Sequence, residues 1–538
     1  MTHESRATRW RWLALLTALM LVVAACGGDG ADDETSTTAG ADGDTTTTAA
    51  DGADDGDDGA TGRTDVQIQV LGEPNSLDPG LINAAPLHQM FLYNVYEPLV
   101  ELGSDGSAIP LLAESWDVSE DGTVYTFTLR DGMTFHDGSA LDSEDVVATY
   151  TRHTESDSYP HQGFDQVTAI EAPDALTVQI TLDAPSWNWL ELMGGMTGVV
   201  LPAEVDEDAR ANDPIGSGPF EFVSWTPDVN ITMERYDGYW GDAAPMETVI
   251  WRFIADQNAA VNALVSGEID GVSVVQVTER LAELEANADI RVYEEPGGPM
   301  FVLALNHAEA PLDDLLVRQA IDHAIDSQAF IDLTEAGYGV PTSFWLPSEH
   351  PAWDDHDPYP YDPDRARELL AEAGYPDGLD ITITTIRNNP SERHGELALS
   401  MLTEVGFNVT NVPLDLTEWV STVFRSDSEP DFQTNPIGLN LAVPFGIYRF
   451  TCDAPGNYLQ YCNEDVDALL DEADAAPTIE KRNGLLNEAA TILADDVVNV
   501  VLFERVRPWA FSSDLEGLKP FRSQNEIDIR RLAWSNGG

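Results

Sequence analysis

The sequence predicts an α/β protein with two or three lobes. Short apolar runs alternate with stretches of helical spacing from Asp65 to the end of the chain, which is typical of an α/β arrangement. The body, residues 65–538, is long enough to bury two or three separate hydrophobic cores. Residues 301–326 lie past the middle of the chain, with strand signals on both sides, so we expect them to carry it from one lobe to another.

This crossing segment combines a strand with a helix. Residues 301–305 form an apolar run, 306–311 interrupt it, and apolar residues then recur at helical spacing from Leu316 to Ile325. Asp313 or Asp314 is placed to cap the helix. The segment therefore predicts a buried strand, a break and a helix in that order.

The remaining body shows the same alternation. Val66, Ile68 and Val70 predict the first strand by their period of two. Strands are also predicted at 125–129, 176–182, 249–253, 381–383 and 409–416. Helices are predicted at 87–100, 142–150, 258–265, 362–374 and 397–405, with Asp142 and Asp362 as caps and Gly267 as a C-terminal stop.

The first 26 residues predict an export signal. Arg6, Arg9 and Arg11 precede an uncharged stretch, residues 12–25, that is short for a permanent membrane helix. The ending Val-Ala-Ala-Cys at 23–26 resembles a bacterial lipobox, which implies a diacylated Cys26. An ordinary signal peptide with an incidental cysteine is the alternative. Two acyl chains on Cys26 would hold the protein at the outer face of the cell membrane.

Residues 27–64 predict a disordered acidic tether. They consist almost entirely of Asp, Gly, Thr and Ala, and so lack the apolar surface needed for a core. The whole chain has a formal net charge of −69, which argues against nucleic acid as a partner because such a surface repels phosphates. Acid excess with only two lysines, Lys481 and Lys519, suggests a protein adapted to high salt. A melting temperature no higher in molar salt would contradict that hypothesis.

The cysteines point to structure and not to catalysis. With Cys26 assigned to lipid, Cys452 and Cys462 remain, and in an exported protein we expect them to form a disulfide. Two free buried thiols are the alternative. Neither cysteine has a histidine nearby in sequence that would indicate a nucleophile or a metal pair.

Two histidine-containing segments invite a chemical interpretation. His136-Asp137-Gly138 has the look of a catalytic dyad, but the same residues form a turn, and we favour the turn. His350 and His356 lie among carboxylates that could hold a metal, yet a solvated acidic loop is the simpler interpretation, and we predict no metal site. No nucleophile elbow, His-Glu-x-x-His motif or phosphate-binding glycine loop is present in the sequence.

Ten segments together resemble a known family. In order, the segments are 76–79 (SLDP), 96–99 (YEPL), 112–116 (LAESW), 125–130 (YTFTLR), 135–138 (FHDG), 216–220 (GSGPF), 239–240 (YW), 267–270 (GEID), 317–320 (VRQA) and 371–375 (AEAGY). In these segments the chain is similar to the bacterial extracellular solute-binding proteins of family 5, the dipeptide-, oligopeptide- and nickel-binding lipoproteins of ABC transporters.

This resemblance implies a bilobed clamp of the periplasmic-binding-protein type (type II, cluster C) with an extra domain inserted in lobe one. Lobe one would comprise 66–108, 215–304 and 504–538, the extra domain 109–214, and lobe two 305–503. The hinge would lie at Leu305 and Asn306, with the return at 500–506. The lobes would close over a solute without covalent chemistry or a cofactor, and the closed monomer would dock on an ABC permease.

The ligand is expected between the lobes, and a short peptide is the favoured solute. In peptide-binding relatives, a Gly-Trp followed by Asp in lobe two pairs with the ligand's amino terminus. Here Gly438 is followed by Leu439, and no acid follows before Asp453, so that partner is missing. The candidate ligand-binding residues are Tyr93, Trp345, Trp419, Asn435, Asn440, Phe445 and Arg449. Arg449 suits a carboxylate.

Other functions remain open at this point. The same receptor role could serve an oligosaccharide, an opine or a metal chelate. A secreted hydrolase is an alternative of another class, although the sequence has no paired-carboxylate or nucleophile motif to support it. A surface sensor built on the same clamp cannot be distinguished by sequence from a transport receptor.

Overall fold

A computed structural model describes residues 62–535 apart from several short gaps. The gaps are 71, 81–84, 104–106, 156–162, 206, 296–298, 388–389, 425–431, 440–445, 455–456, 477 and 521–525. The predicted signal peptide, Cys26 and nearly all of the predicted tether lie outside the described residues, as do Asn440 and Phe445.

The described chain alternates strands and helices, as the sequence predicts. The strands are β1 (Asp65–Val70), β2 (Val100–Leu102), β3 (Ala108–Pro110), β4 (Ala113–Val118), β5 (Val124–Leu129), β6 (Val167–Asp174), β7 (Thr177–Leu182), β8 (Phe220–Thr226), β9 (Asn230–Arg235), β10 (Thr248–Phe253), β11 (Gly271–Val272), β12 (Ile290–Glu295), β13 (Met300–Leu305), β14 (Gly339–Val340), β15 (Leu379–Ile386), β16 (Phe407–Leu414), β17 (Thr434–Leu439), β18 (Asn499–Arg505), β19 (Arg507–Ser512), β20 (Leu515–Glu516), β21 (Lys519–Pro520), β22 (Ile527–Asp528) and β23 (Ala533–Trp534).

Helices connect most of the longer strands. They are α1 (Ala85–Phe91), α2 (Ser143–Glu155), α3 (Trp187–Met193), α4 (Glu207–Asn212), α5 (Gln257–Ser266), α6 (Leu281–Glu285), α7 (Leu315–Ala324), α8 (Ser327–Thr334), α9 (Pro363–Glu372), α10 (Pro390–Val405), α11 (Leu416–Val423), α12 (Glu464–Asp474) and α13 (Ile479–Asp495). The predicted helix over 87–100 is too long, because the chain turns after Phe91 and Tyr93 takes a left-handed conformation with φ 64°.

A seven-stranded sheet organises the first lobe. Its strand order is β12-β19-β11-β1-β10-β9-β8, with β1 parallel to β10 and β11. On β1, Val66, Ile68 and Val70 are buried, as their alternation predicts, and they join one continuous core with the side chains of Trp251 and Trp509. We use the term first lobe for the part of the molecule built on this sheet.

A six-stranded sheet organises the second lobe. Its order is β14-β18-β13-β17-β15-β16, with β13 in the middle, and β15 parallel to both β16 and β17. Helices α7, α9 and α10 pack on one face. The other face carries α11, α12 and α13.

A four-stranded antiparallel sheet, β4-β5-β7-β6, lies between β3 and β8 in the sequence. It has its own apolar cluster, in which Phe127, Tyr150 and Trp189 are fully buried. Helices α2 and α3 contribute to this cluster. This sheet therefore has an apolar cluster distinct from those of the two larger sheets.

The chain crosses between the two large sheets earlier than the sequence suggested. Strand β13 pairs with β17 and β18 along its whole length from Met300 to Leu305, so residues 300–304 belong to the second lobe and not to the first. The crossing falls between β12 and β13, and the return falls at Val506, between β18 and β19. Leu305 and Asn306 are buried at the far end of β13, so placing the hinge and the lobe boundary there was wrong.

Local capping follows the sequence. Asp314 accepts a hydrogen bond from Leu316 N–H at the start of α7, and Asp362 accepts from the N–H groups of Asp364 and Arg365 at the start of α9. Gly267 ends α5 in the left-handed conformation, φ 74°. These caps fix helix ends whose positions the sequence alone could predict.

The end of the predicted tether is attached to the body. The Arg63 guanidinium pairs with the Asp270 carboxylate at 2.7 and 2.8 Å and lies 4.5 Å from the Trp534 ring centroid. The disorder predicted for 27–64 therefore does not extend to Arg63. Arg63 is held in place because its charged guanidinium pairs with the Asp270 carboxylate on the first lobe.

Candidate ligand-binding cleft

Both large sheets direct the carboxyl ends of their parallel strands toward the two connections. In the first lobe, β1 and β10 end at Val70 and Phe253, on the edge where β12 ends and β19 begins. In the second lobe, β15, β16 and β17 end on the edge where β13 begins and β18 ends. Ligands of open α/β sheets bind outside such edges. The candidate cleft therefore lies between these two edges.

Trp419 and Arg449 lie on segments that follow strands ending at this edge. Helix α11, which carries Trp419, starts two residues after β16. Arg449 lies in the short 3₁₀ helix Ile447–Phe450, the first helical turn that the structure describes after β17. Trp419 is buried and packs edge-on against Phe424, with ring centroids 5.3 Å apart. Arg449 is partly buried, and its Nε donates to the Gly446 carbonyl at 3.1 Å.

Trp345 belongs to the same apolar cluster. Its ring meets the Phe450 ring edge-on at a centroid distance of 4.8 Å, and its side chain is fully buried. Of the seven candidate residues, the structure thus brings Trp345, Trp419 and Arg449 to one side of the six-stranded sheet.

Asn435 lies at the wrong end of its strand for a ligand contact at this edge. It pairs with Ala304, whereas Leu439, at the carboxyl end of β17, pairs with Met300. Four residues of extended chain span about 13 Å. Asn435 therefore lies inside the sheet, away from the strand ends that border the candidate cleft.

Tyr93 is engaged within the first lobe. Its hydroxyl donates to the Gly194 carbonyl and accepts from Leu102 N–H at 3.3 Å, and the Arg530 guanidinium lies 5.4 Å from its ring centroid. Burial raises the pKa of its phenol well above the ordinary value. These contacts give Tyr93 a structural role.

Asn306 is likewise committed to the fold. Its amide donates to the Phe432 carbonyl at 2.9 Å and accepts from Ala308 N–H at 3.2 Å. Because the chain crosses between lobes elsewhere, Asn306 supports a turn after β13 and not a hinge.

Cys452 and Cys462 form a disulfide with Cα atoms 4.3 Å apart. The bridge closes a loop between the 3₁₀ helix that carries Arg449 and the start of α12. The backbone N–H of Cys452 also donates to the Asp467 carboxylate on α12. The disulfide and this hydrogen bond thus attach the segment to α12 and to the residues just before that helix.

Glu97 is a buried carboxylate that sequence reasoning overlooked. It accepts hydrogen bonds from the Ser217 hydroxyl at 2.9 Å, the Tyr239 hydroxyl at 2.8 Å and the Trp240 indole N–H at 2.9 Å. Burial raises its pKa to about 7 against the opposing effect of these donors. Three of the ten sequence segments therefore meet at one carboxylate, and their proximity was not visible in their spacing.

His136 is a structural histidine. Its Nδ1 accepts from Gly216 N–H at 3.2 Å, so Nε2 carries the proton and donates to the Gly218 carbonyl at 3.0 Å. Burial lowers its pKa to about 4. Both ring nitrogens are occupied by backbone, which leaves no free nitrogen for proton transfer.

His350 and His356 do not act together. His350 is largely enclosed, accepts from Ala352 N–H at 3.1 Å, and has its pKa lowered to about 4 by burial and by Arg482. His356 instead contacts the Asp495 carboxylate on α13 at 2.8 Å. Within the residues that the structure describes, no group of three His, Cys, Asp or Glu side chains is placed to hold a metal ion.

One ion pair spans two parts of the molecule. Arg482 on α13 of the second lobe contacts both carboxylate oxygens of Glu191 on α3, at 2.8 and 3.3 Å. Helix α3 belongs to the core of the four-stranded sheet, and it also packs near α12. Burial raises the pKa of Glu191, and Arg482 opposes that rise. No local sequence pattern predicts this contact, because the two residues are 291 positions apart.

A second contact joins the lobes near the crossing. The Tyr338 hydroxyl, just before β14, donates to the Glu285 carboxylate on α6 at 3.0 Å. Because β14 pairs with β18 and α6 packs with β12, this bond connects the second lobe to the first. Among the described helices, none combines the length and apolar character needed to cross a bilayer.

The two sheets, joined by two crossings and facing each other with the carboxyl ends of their strands, define the type II periplasmic-binding-protein fold. Solved structures of other proteins have the same fold. The substrate-binding protein CtaP of Listeria monocytogenes superposes with a TM-score of 0.78 at 24% identity, covering 88% of this chain and 100% of that one. A dipeptide-binding protein from Pseudoalteromonas sp. SM9913, solved with Met-Leu, gives 0.72 at 22% identity, covering 87% of this chain and 100% of that one.

Sequence comparison assigns the family. The model described as "Bacterial extracellular solute-binding proteins, family 5 Middle" matches residues 107–453. The glutathione-binding protein GsiB of Pectobacterium atrosepticum is 31% identical over 358 residues, which cover 65% of this chain and 69% of that protein. The chain belongs to the family 5 solute-binding proteins. It is an extracytoplasmic, non-enzymatic substrate-binding protein of an ABC transporter, so the hydrolase alternative falls away.

Proposed function

We propose that this protein is a lipid-anchored receptor that captures a short peptide or peptide-like solute between its lobes and delivers it to an ABC permease. The observation that carries the proposal is the pair of facing strand edges, connected near Val506 and spanned on another side by Arg482 and Glu191. A relative is named for glutathione, itself a peptide-like molecule, and a neighbour was solved with a dipeptide.

Closure is the proposed working motion. The chain has 13 tryptophans, and Trp345 and Trp419 lie on the side of the second lobe that carries the candidate cleft. Tryptophan fluorescence should therefore change when a solute draws the lobes together. In this proposal the domain division is a first lobe, an extra domain at about 109–214 and a second lobe beginning near residue 300, acting as a monomer.

The decisive experiment is mass spectrometry of small molecules released by denaturing the purified protein. A peptide or glutathione-like compound is expected. Release of an oligosaccharide would refute the peptide assignment, and failure to bind or release any small organic solute would refute the receptor role. Calorimetric titration with glutathione and with Met-Leu gives an independent measurement of solute binding.

A second candidate solute is one without a free amino group, such as an opine or a metal chelate. The specific observation in its favour is Leu439, which occupies the position where peptide-binding relatives have tryptophan before the acid that pairs with an ammonium. Met-Leu and its N-acetyl derivative distinguish the two candidates. Equal affinity for both would favour the solute without a free amine.

The lipid anchor is proposed from the Val-Ala-Ala-Cys sequence at 23–26. In a bacterial expression host, the wild-type protein should fractionate with membranes and incorporate labelled palmitate. Cys26→Ala should abolish the labelling. Labelled, membrane-bound Cys26→Ala protein would contradict the anchor, and Cys452→Ser serves as the cysteine control.

A further inference from the structure

One face of the six-stranded sheet holds buried hydrogen-bond donors for which the described residues supply no acceptor. The indole N–H groups of Trp345 and Trp419 and the hydroxyl of Tyr458 have no hydrogen-bond partner in the described part of the chain. The three side chains are 0%, 2% and 5% exposed. A buried donor without an acceptor is costly, so such groups usually mark a water or ligand position. Each of the three groups needs a hydrogen-bond acceptor.

These donors belong to one packed cluster, which we call the donor cluster: Trp345, Trp419, Arg449 and Tyr458. The Phe424 ring links two of its members, with centroids 5.3 Å from Trp419 and 4.8 Å from Tyr458. Trp345 packs on Phe450, the neighbour of Arg449 in sequence. The cluster therefore lies around one stretch of the second lobe, on the side that carries α11 and the 3₁₀ helix.

Arg449 adds a positive charge for which the described residues supply no neutralising carboxylate. Burial lowers its pKa, and the other group that acts on it is the phenol of Tyr458. Among described arginines, burial also lowers the pKa of Arg152, Arg318 and Arg507, but a carboxylate opposes that effect in each of them. The lack of a carboxylate partner among the described residues stands out in a chain with 95 acidic and 26 basic residues, and it leaves the guanidinium able to pair with an anionic ligand.

The location suits a ligand. Trp419 lies on the helix that starts where β16 ends, at the sheet edge that faces the first lobe. The disulfide between Cys452 and Cys462 holds the loop that connects Arg449 to Tyr458. Arg449 and Tyr458 thus lie on or beside a disulfide-closed segment, and Trp419 packs near them on the helix that follows β16.

We propose that Arg449, together with the Tyr458 hydroxyl and the Trp419 indole N–H, binds a carboxylate of the transported solute. This inference rests on the proposed receptor function and adds the chemistry of one subsite. A guanidinium donates parallel N–H bonds that match a planar carboxylate, and neutral donors beside it satisfy the remaining lone pairs. The protein would then recognise the carboxylate end of its solute. It lacks the acid that, in peptide-binding relatives, pairs with the ligand's ammonium group.

The test compares Met-Leu with Met-Leu amide, which lacks the carboxylate, in calorimetric titrations. Wild type should bind the free acid about 10- to 100-fold more tightly than the amide, the range expected for charge-assisted hydrogen bonds. Arg449→Gln should lose that difference, and Tyr458→Phe, which removes only a hydroxyl, should lose part of it. Inorganic phosphate up to millimolar concentration should not compete.

Arg387→Gln is the matched control. Arg387 follows β15 at the same sheet edge, but it is exposed and its Nε lies 3.3 Å from the Asp415 carboxylate. The control should retain the preference for the acid. Equal binding of acid and amide by wild type, an unchanged preference in Arg449→Gln, or competition by phosphate would each overturn the carboxylate subsite.

The failure of the subsite and the failure of the receptor function are distinguishable. If a solute is released from wild type but carries no carboxylate, the subsite is refuted and the receptor role stands. If wild type binds neither probe and releases no solute, both are refuted. If Arg449→Gln does not fold, as judged by circular dichroism, the preference of Tyr458→Phe for Met-Leu over Met-Leu amide tests the subsite instead.

Discussion

Glu97 and Glu191 are two enclosed carboxylates with opposite surroundings. Glu97 is fully buried and is held by three neutral donors, from Ser217, Tyr239 and Trp240, all packed at the first lobe. Glu191 keeps 19% of its side chain exposed and is held by a charged partner, Arg482, from the second lobe. The first arrangement joins segments within one lobe. The second joins two parts of the molecule that the proposed clamp motion would separate.

The difference teaches where a binding protein places its strong polar contacts. A carboxylate with neutral donors inside one core has no alternative partner, because opening that core would expose apolar surface as well. A charged pair between two bodies can be exchanged for water when the bodies part, so its net contribution is small and reversible. We therefore expect Glu97 to control stability and Glu191 to control closure.

The largest expected effect is that of Glu97→Ala. It leaves the buried Ser217 hydroxyl and the partly buried Tyr239 hydroxyl and Trp240 indole N–H without their acceptor, and a lost acceptor costs about 1–3 kcal/mol for each donor, so the free energy of unfolding should fall by about 3 kcal/mol. Urea denaturation measures the change. Glu120→Ala, at an exposed glutamate, is the control and should be close to neutral. A loss below about 1 kcal/mol would show that Glu97 does not organise this region.

The pH dependence of Glu97 is the next largest effect. Its pKa in the folded protein is about 7, above the ordinary 4.5, so the folded state keeps a proton that the unfolded state has already released. The stabilising contribution is complete below pH 4.5 and declines as pH rises toward 7, by about 3 kcal/mol in all. The difference in stability between wild type and Glu97→Gln should follow this slope. A difference that is constant over the interval would contradict the raised pKa.

Breaking the contact between lobes should have a smaller effect. Glu191→Gln removes a carboxylate from the buried Arg482, while Asp474 on α12 still acts on that arginine. We expect the affinity for glutathione or Met-Leu to fall about 3- to 10-fold, with little change in melting temperature. Arg365→Gln, in an exposed pair on α9, is the control. Unchanged affinity together with a large loss of stability would show that Glu191 controls stability and not closure.

The smallest effect, and the sharpest test of the pair, comes from exchanging the charges. The double variant Glu191→Arg with Arg482→Glu restores opposite charges across the same gap. Its affinity should return to within about threefold of wild type, although each single reversal weakens binding more than the neutral variant. Additive losses would show that the two residues act separately.

The sequence by itself determined the order of elements, the helix caps and the family. Period-two apolar runs specified β1 and β5, and Asp314, Asp362 and Gly267 specified helix ends, because these signals depend on neighbours along the chain. The export signal and the acidic tether likewise rest on local sequence and composition, and they remain predictions. These conclusions need no knowledge of what packs against what.

The tertiary structure decided which segments meet. It moved the crossing from Leu305 to the stretch before Met300, because strand pairing, and not hydrophobicity, determines which sheet a strand joins. It placed Asn435 at the far end of β17 and left Tyr93 in a core. It also brought Tyr458 beside Arg449 and Arg482 against Glu191. Such contacts join residues far apart in sequence, and no local pattern records them.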